Sequence, residues 1–242
     1  LALVVAGSSL AWMLRLPRED RSRVMAISRA WMVTAAFWAV YEQQGNTMQL
    51  WADQNTHWPT VLGFTIPSTW YQAFNPFMIW LLVPLLNMVW AWQARRGQEP
   101  SSQNTMATGC VILGLGFVVM IVASVGMAPD ARLSVLWLLG STLVFTIGEL
   151  YLSPVGLSFV TKVSPVRFVS MMMGVWFLSS FVGNYMTGYL GTYYEKMPRQ
   201  EFFVMLTVIG VVAGLLLFVM NRRLDRIVGA HDRQEVPASR DR

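Results

Sequence analysis

The chain has 242 residues, of which 55% are hydrophobic and only 13% are charged. A soluble domain carries about 25% charged residues, so this chain cannot cover a water-facing surface of its size. Its single cysteine, Cys110, excludes a disulfide-stabilised secreted domain. The two histidines, His57 and His231, lie far apart, which argues against a zinc site. We therefore expect no metal and no cofactor.

Long uncharged runs separate the charged clusters. No Asp, Glu, Lys or Arg occurs in residues 54–94, 100–129, 168–194 or 202–221. A membrane-spanning helix needs about 20 predominantly apolar residues, so each run is long enough to cross a bilayer. We predict an all-α, polytopic membrane protein whose six spans lie at about 24–44, 67–92, 105–127, 133–161, 167–190 and 201–221.

The segments outside the spans define the predicted organisation. Residues 1–14 are apolar but too short to span, and they resemble the end of a helix that begins upstream. Residues 15–23 form a basic linker, residues 24–222 form the six-helix bundle, and residues 223–242 form a polar tail without regular structure. This organisation predicts that the chain is part of a longer protein.

The basic residues predict how the chain sits in its membrane. If the linker 15–23 is cytoplasmic and the spans alternate, only three of the 18 basic residues fall on the outer side: Arg132, Lys196 and Arg199. This asymmetry follows the positive-inside rule and predicts a cytoplasmic C-terminus in a plasma (inner) membrane. The basic tail is then explained by anionic lipid headgroups in the bilayer rather than by nucleic acid.

Two carboxylates, Glu42 and Glu149, lie inside predicted spans. An ionised side chain at the bilayer centre costs at least about 2.5 kcal/mol, so such residues usually have a function. Glu42 lies near the outer end of its span and could simply be interfacial. Glu149 lies well inside its span, where that explanation is weaker. A carboxyl group in this setting can exchange a proton or hold a cationic partner.

Polar and small residues recur at helical spacing near both carboxylates. Trp38 and Glu42 lie four residues apart on the first span, and Trp176 and Ser180 lie four residues apart on the fifth. Such stripes are typical of helix packing, but they also line wet cavities. Asn75 precedes Pro76 on the second span, where it could stabilise a bend or contact a substrate.

A cavity lined by polar stripes and two carboxylates favours a transporter. An enzyme is disfavoured because the sequence contains no Ser/His/Asp, Cys/His or clustered metal-ligand set. GxxxG spacing at Gly210 and Gly214 is typical of helix–helix packing alone.

Four segments resemble the proton-dependent oligopeptide transporter (POT/PTR) family of the major facilitator superfamily. They are FWAVYEQQGNT at 37–47, WYQAFNPFMIWLLVPL at 70–85, GELYLSPVGLSFVTKVSP at 148–165 and MMMGVWFLSSFVGNYMTG at 171–188. The resemblance implies the C-terminal six-helix half of a major-facilitator fold. Residues 1–14 would then be the end of an extra helical hairpin between the halves.

The resemblance also implies roles for individual residues. Glu149 would hold the amino terminus of a peptide, and Asn75 would be a second partner to that ammonium or to the peptide backbone. The acidic position implicated in proton coupling and gating would be Glu42, and Asp53 would be an outer gate acid. Pocket-lining positions would be Trp38, Trp176 and Ser180.

The implied activity is symport of di- and tripeptides with protons by alternating access. The family's E-x-x-E-R-[FY] motif of the first span is absent here, so the missing N-terminal six-helix half would be a required partner. Two alternatives stay open. One is a transporter of the same family for nitrate, an amine metabolite or a peptide-like drug, and the other is a non-transporting membrane module that binds a partner.

Overall fold

The architecture is a bundle of long helices, described by a computed structural model over residues 17–98, 100–128 and 131–232. Over these residues the helices, numbered in chain order, are α1 Arg18–Tyr41, α2 Thr47–Gln54, α3 Phe74–Arg95, α4 Ser102–Ser124, α5 Leu136–Val163, α6 Val169–Gly191 and α7 Arg199–Asp232. Short 3-10 turns cover Glu42–Gly45, Ser68–Ala73 and Val166–Phe168, and the two-residue strands are β1 Thr56–His57, β2 Thr60–Val61, β3 Phe64–Thr65 and β4 Leu133–Ser134.

Six helical segments of the described residues are long and apolar enough to cross a membrane: Arg23–Gln54, Ser68–Arg95, Ser102–Ser124, Leu136–Val163, Val166–Gly191 and Arg199–Asn221. They coincide with the six predicted spans within a few residues, except that the first extends ten residues further along the chain. The predicted all-α, multi-pass fold is confirmed.

The ends of the bundle differ from the predicted boundaries. Helix α1 begins at Arg18, directly after Pro17, so most of the predicted linker 15–23 is helical. A proline at a helix start is tolerated because no intrahelical hydrogen bond is needed there. Helix α7 continues to Asp232, into the predicted tail, where Leu224, Ile227 and Val228 keep helical spacing. The predicted helix end at 1–14 lies outside the described residues.

Contacts between connecting segments at each end of the bundle agree with spans that alternate in direction. At one end, Arg167 forms an ion pair with Asp20, which joins the connection before α6 to the start of α1. At the other end, β1 pairs with β4 in parallel, and Asn55 Nδ2 donates to the Ala131 carbonyl at 3.3 Å. We call these the basic end and the outer end, after their predicted sides.

Helix α4 lies at the centre of the packing because glycines allow its neighbours to approach closely. A Cβ atom placed on Gly148 of α5 would lie 2.8 Å from the Gly109 carbonyl oxygen of α4. One placed on Gly210 of α7 would lie 2.8 Å from the Gly114 Cα atom. Between helices in lipid, van der Waals packing of this kind replaces the hydrophobic effect. The predicted packing role of Gly210 and Gly214 is confirmed.

Helices α3 and α6 bury little of their surface in this chain. In the Ser68–Arg95 segment, an apolar stretch of 18 residues is only 6% buried, whereas the corresponding stretch of α4 is 56% buried. Trp80 on α3 and Phe181 on α6 are largely exposed. Their apolar surfaces are therefore free to meet lipid or further helices, whereas their opposite faces hold polar side chains against α5 and α1.

Candidate functional site

Three helices bring polar groups together at Glu149. Its Oε2 atom accepts a hydrogen bond of 2.5 Å from the Tyr41 hydroxyl and one of 2.9 Å from Asn75 Nδ2. The same Asn75 nitrogen lies 3.0 Å from the Tyr41 oxygen and 3.2 Å from Thr146 Oγ1. We refer to Tyr41, Asn75, Thr146 and Glu149 as the Glu149 cluster.

Each member of the cluster is placed by its position in a helix. Tyr41 is the last residue of α1, Asn75 is the second residue of α3, and Glu149 lies midway along the 28-residue α5. Pro76 stands in the first turn of α3, where a missing backbone N–H costs nothing. The Asn75–Pro76 pair therefore begins a helix, and the Asn75 side chain contacts Glu149.

Thr146 completes the cluster one turn before Glu149 on α5. Its hydroxyl donates to the Thr142 carbonyl at 2.8 Å, so its oxygen is free to accept from Asn75. The orientation of the Asn75 amide is thus fixed, with its nitrogen toward three acceptors and near the carboxylate.

The arrangement leaves the carboxylate able to take a cation. In the part of the chain that the structure describes, both hydrogen bonds to Glu149 fall on Oε2, and the side chain is only half-buried. A carboxylate can accept about four hydrogen bonds, so Oε1 can still bind a donor such as an ammonium group.

Glu42 lies directly after Tyr41, at the start of the 3-10 turn that ends α1. Its side chain is half-buried, interacts electrostatically with Glu149 and lies within hydrogen-bonding reach of Asn184 on α6. Carboxylates that interact at this range repel each other when both are charged. The predicted pair of intramembrane carboxylates is therefore part of one electrostatic unit.

The predicted pocket-lining residues lie around this unit in different ways. Trp38 is half-buried and forms an edge contact with the Tyr41 ring, with ring centroids 5.4 Å apart. Trp176 is buried in the core, where a Cβ placed on Gly156 would lie 2.5 Å from its Cζ2 atom. Gly156 is seven residues, or about two turns, from Glu149 on the same face of α5.

Ser180 and Asp53 lie further from the carboxylate contacts. Ser180 is half-buried, and its carbonyl accepts from Asn184 Nδ2 at 2.9 Å. Asn184 is also the residue within hydrogen-bonding reach of Glu42, so it lies between the two. Asp53 is exposed near the end of α2 and accepts from Gln49 Nε2 at 3.2 Å. It does not belong to the Glu149 cluster.

Sequence reasoning missed Tyr41 and Thr146. Tyr41 lies between the singled-out residues Trp38 and Glu42, but a tyrosine at a span end is usually an interfacial anchor. Thr146 lies three residues before Glu149, where threonine commonly bonds its own helix backbone. Only the approach of three helices shows that both side chains meet the carboxylate.

The comparisons with known proteins identify the family. A family model described as PTR2, the POT family, matches residues 4–212. The chain belongs to the POT family. Its members are transporters and not enzymes.

Named relatives agree with this assignment. The peptide transporter YePEPT of Yersinia enterocolitica is 36% identical over 179 residues, which cover 73% of this chain and 35% of that protein. A di-/tripeptide transporter of Lactococcus lactis subsp. cremoris is 29% identical over 214 residues, covering 87% of this chain and 43% of that protein. The chain therefore spans about two fifths of the length of these relatives.

Among solved structures, a point variant of peptide transporter POT, crystallised with alafosfalin, superposes with a TM-score of 0.80. Its sequence is 30% identical, and the match covers 93% of this chain and 46% of that one. The six-span bundle is thus the fold of about half of a POT transporter.

Proposed function

We propose that this chain contributes to proton-coupled symport of di- and tripeptides across a cell membrane by alternating access, as the C-terminal six-helix half of a POT transporter. The observation that supports this most directly is the Glu149 cluster. It is a carboxylate inside a membrane span, oriented by two donors, with one oxygen able to take a cation.

The ammonium of a peptide fits this site by charge and by hydrogen bonding. A primary ammonium carries three donors, and Glu149 Oε1 offers the charged acceptor. The Asn75 and Tyr41 side chains, already bound to Oε2, hold the carboxylate in place. Named relatives in this family transport peptides, whose amino termini carry such a cation.

Proton coupling is proposed for Glu42, which lies one residue beyond Tyr41 and interacts with Glu149. A proton arriving at either carboxylate changes the charge that the other experiences. Entry of one proton down 100 mV releases about 2.3 kcal/mol, enough to concentrate a neutral peptide several tens-fold. Asp53, exposed at the outer end, is proposed as a gate acid.

The proposal also requires a second six-helix half, which would supply the contacts to the peptide carboxylate and cover α3 and α6. Rocking of one half against the other would then expose the site alternately to each side. The orientation with the basic end in the cytoplasm follows from the distribution of arginines and lysines.

The test is uptake of a labelled dipeptide into proteoliposomes that contain the protein in its natural length. With an inward proton gradient, Glu149→Gln should abolish uptake, because the neutral amide cannot pair with an ammonium. Glu195→Gln, an exposed acid in the turn after α6, is the matched control and should transport normally. Normal uptake by Glu149→Gln would refute the site assignment.

A second experiment separates proton coupling from peptide binding by comparing exchange of peptide with its accumulation. Glu42→Gln should still bind the peptide and exchange it between the two sides, but it should not accumulate peptide against a gradient. If Glu42→Gln accumulates peptide as the unaltered protein does, Glu42 does not couple protons.

A further inference from the structure

A cavity of about 430 Å³ lies at the basic end of the bundle, between the ends of α3, α4 and α5. This is within the size range of small-molecule sites, about 300–1,000 Å³. Its walls are formed by side chains of both polar and apolar kinds: Trp90, Gln93, Pro100, Ser102, Thr105, Pro154, Val155, Ser158 and Lys162.

The cavity opens on the opposite side of α5 from the Glu149 cluster. Ser158 follows Glu149 by nine residues, which is two and a half turns of an α-helix. The two side chains therefore leave α5 in opposite directions. The cavity borders α4, the central helix of the bundle, and is distinct from the proposed peptide site.

The lining changes from apolar to polar along the helix axis. Pro154 and Val155 lie about two turns deeper in the predicted span than Lys162. Hydroxyl groups of Ser102, Thr105 and Ser158 also line the cavity. An amphiphile with a polar head near Lys162 and an apolar part against Val155 would match this gradient.

The charges around the cavity favour an anion. Lys162 is exposed, and no carboxylate of the described residues lies within ion-pair distance of it. Arg95 and Arg96 follow the lining residue Gln93 by two and three positions, and the Arg96 guanidinium stacks over Trp92 at 4.0 Å. Among the residues that the structure describes, the lining of the cavity includes no Asp or Glu.

We propose that this cavity binds the phosphate headgroup of an anionic phospholipid, with Lys162 as its charged ligand and the Ser102 and Ser158 hydroxyls as further donors. Basic pockets between spanning helices at the cytoplasmic side commonly hold such headgroups. The membrane itself supplies the ligand at high local concentration. This role does not depend on the transport activity.

The chain offers a matched pair of variants because Lys162 and Lys196 are its only lysines. Lys196 lies at the outer end, in the turn after α6, with its Nζ atom 5.7 Å from the Tyr193 ring. The protein in its natural length is purified in detergent, and bound lipid is counted by native mass spectrometry after addition of phosphatidylglycerol or phosphatidylcholine.

We expect Lys162→Gln to weaken phosphatidylglycerol binding about fivefold, the factor expected for one lysine near a phosphate. Lys196→Gln should bind phosphatidylglycerol like the unaltered protein, and phosphatidylcholine should bind weakly to all three. Ser158→Phe, which fills the cavity, should remove the bound phosphatidylglycerol. Elution of each variant as the same monodisperse peak shows that it is folded.

Three results would overturn the proposal. One is equal retention of phosphatidylglycerol by the Lys162→Gln and Lys196→Gln variants. The second is equal binding of phosphatidylcholine and phosphatidylglycerol by the unaltered protein. The third is binding of soluble glycerol 3-phosphate with the same dependence on Lys162, since that would assign the cavity to a soluble phosphate compound.

Discussion

The Tyr41 hydroxyl donates a 2.5 Å hydrogen bond to Glu149 Oε2, although the two residues are 108 positions apart in the chain. This hydrogen bond ties the end of α1 to the middle of α5. Because Glu42 is the next residue after Tyr41, this bond connects the two carboxylates mechanically as well as electrostatically.

Replacing Tyr41 by phenylalanine removes this bond and the one that the Tyr41 oxygen accepts from Asn75 Nδ2. The ring keeps its packing on Phe37, with centroids 5.7 Å apart, so the fold is preserved. Loss of a hydrogen bond to a charged group costs about 1.5–3 kcal/mol, so the KM for dipeptide uptake should rise at least tenfold. Tyr193→Phe is the control: it removes the exposed hydrogen bond between the Tyr193 and Tyr189 hydroxyls and should leave KM unchanged. An unchanged KM in Tyr41→Phe would mean that Glu149 needs no orienting partner.

Asn75→Leu tests the amide that holds the same carboxylate oxygen. The leucine has a similar volume but cannot donate to Glu149, Tyr41 or Thr146, so dipeptide affinity should fall at least tenfold. Asn87→Leu, at an exposed position of the same helix, should transport normally. Binding is measured by tryptophan fluorescence with dipeptide. Equal affinity in both variants would remove Asn75 from the site.

The sequence predicted the spans well because their signal is local. Each span is an uncharged run, and its length alone fixes the element. Glu149 and Asn75 also stand out locally, as polar groups in apolar surroundings, and the structure places their side chains in contact. By contrast, helix α2 lies where only a connection between spans was expected, and Trp51 within it is fully buried against Phe203. Such burial depends on distant segments, which no local pattern reports.

The hydrogen bonds between α1 and α6 likewise join residues that lie far apart in the chain. Thr187 Oγ1 donates to the Ala39 carbonyl at 3.0 Å, and Gln43 Nε2 donates to the Thr187 carbonyl at 3.1 Å. Nothing local in the sequence around Thr187 marks it for this contact. These bonds hold the end of α1, and with it Tyr41 and Glu42, against α6.

Thr187→Val should loosen this attachment without changing the side-chain volume. The variant loses one interhelical hydrogen bond, worth about 0.6 kcal/mol on average in membrane proteins, and should unfold at a slightly lower temperature. Thr192→Val, whose exposed hydroxyl bonds only its own turn, should unfold like the unaltered protein. Thermal unfolding is followed by static light scattering in detergent. A Thr187→Val curve that matches the control would show that the bond carries no stability.

Gly210→Ala tests the close approach of α7 and α4. The added Cβ would lie 2.8 Å from the Gly114 Cα atom and 3.0 Å from its nitrogen. Both are backbone atoms, so no side chain can rotate away and the helices must separate. Overpacking of this kind costs about 1–3 kcal/mol, which should lower the unfolding temperature by several degrees.

Gly188→Ala is the matched control, because a Cβ there meets nothing within 4 Å. At an open helical position, alanine is favoured over glycine by about 0.5–1 kcal/mol, so this variant should be as stable as the unaltered protein or more stable. The two substitutions are chemically identical, and opposite shifts in unfolding temperature would therefore isolate the helix contact. If Gly210→Ala is as stable as Gly188→Ala, the α4–α7 interface can relax, and glycine at position 210 is not needed for packing.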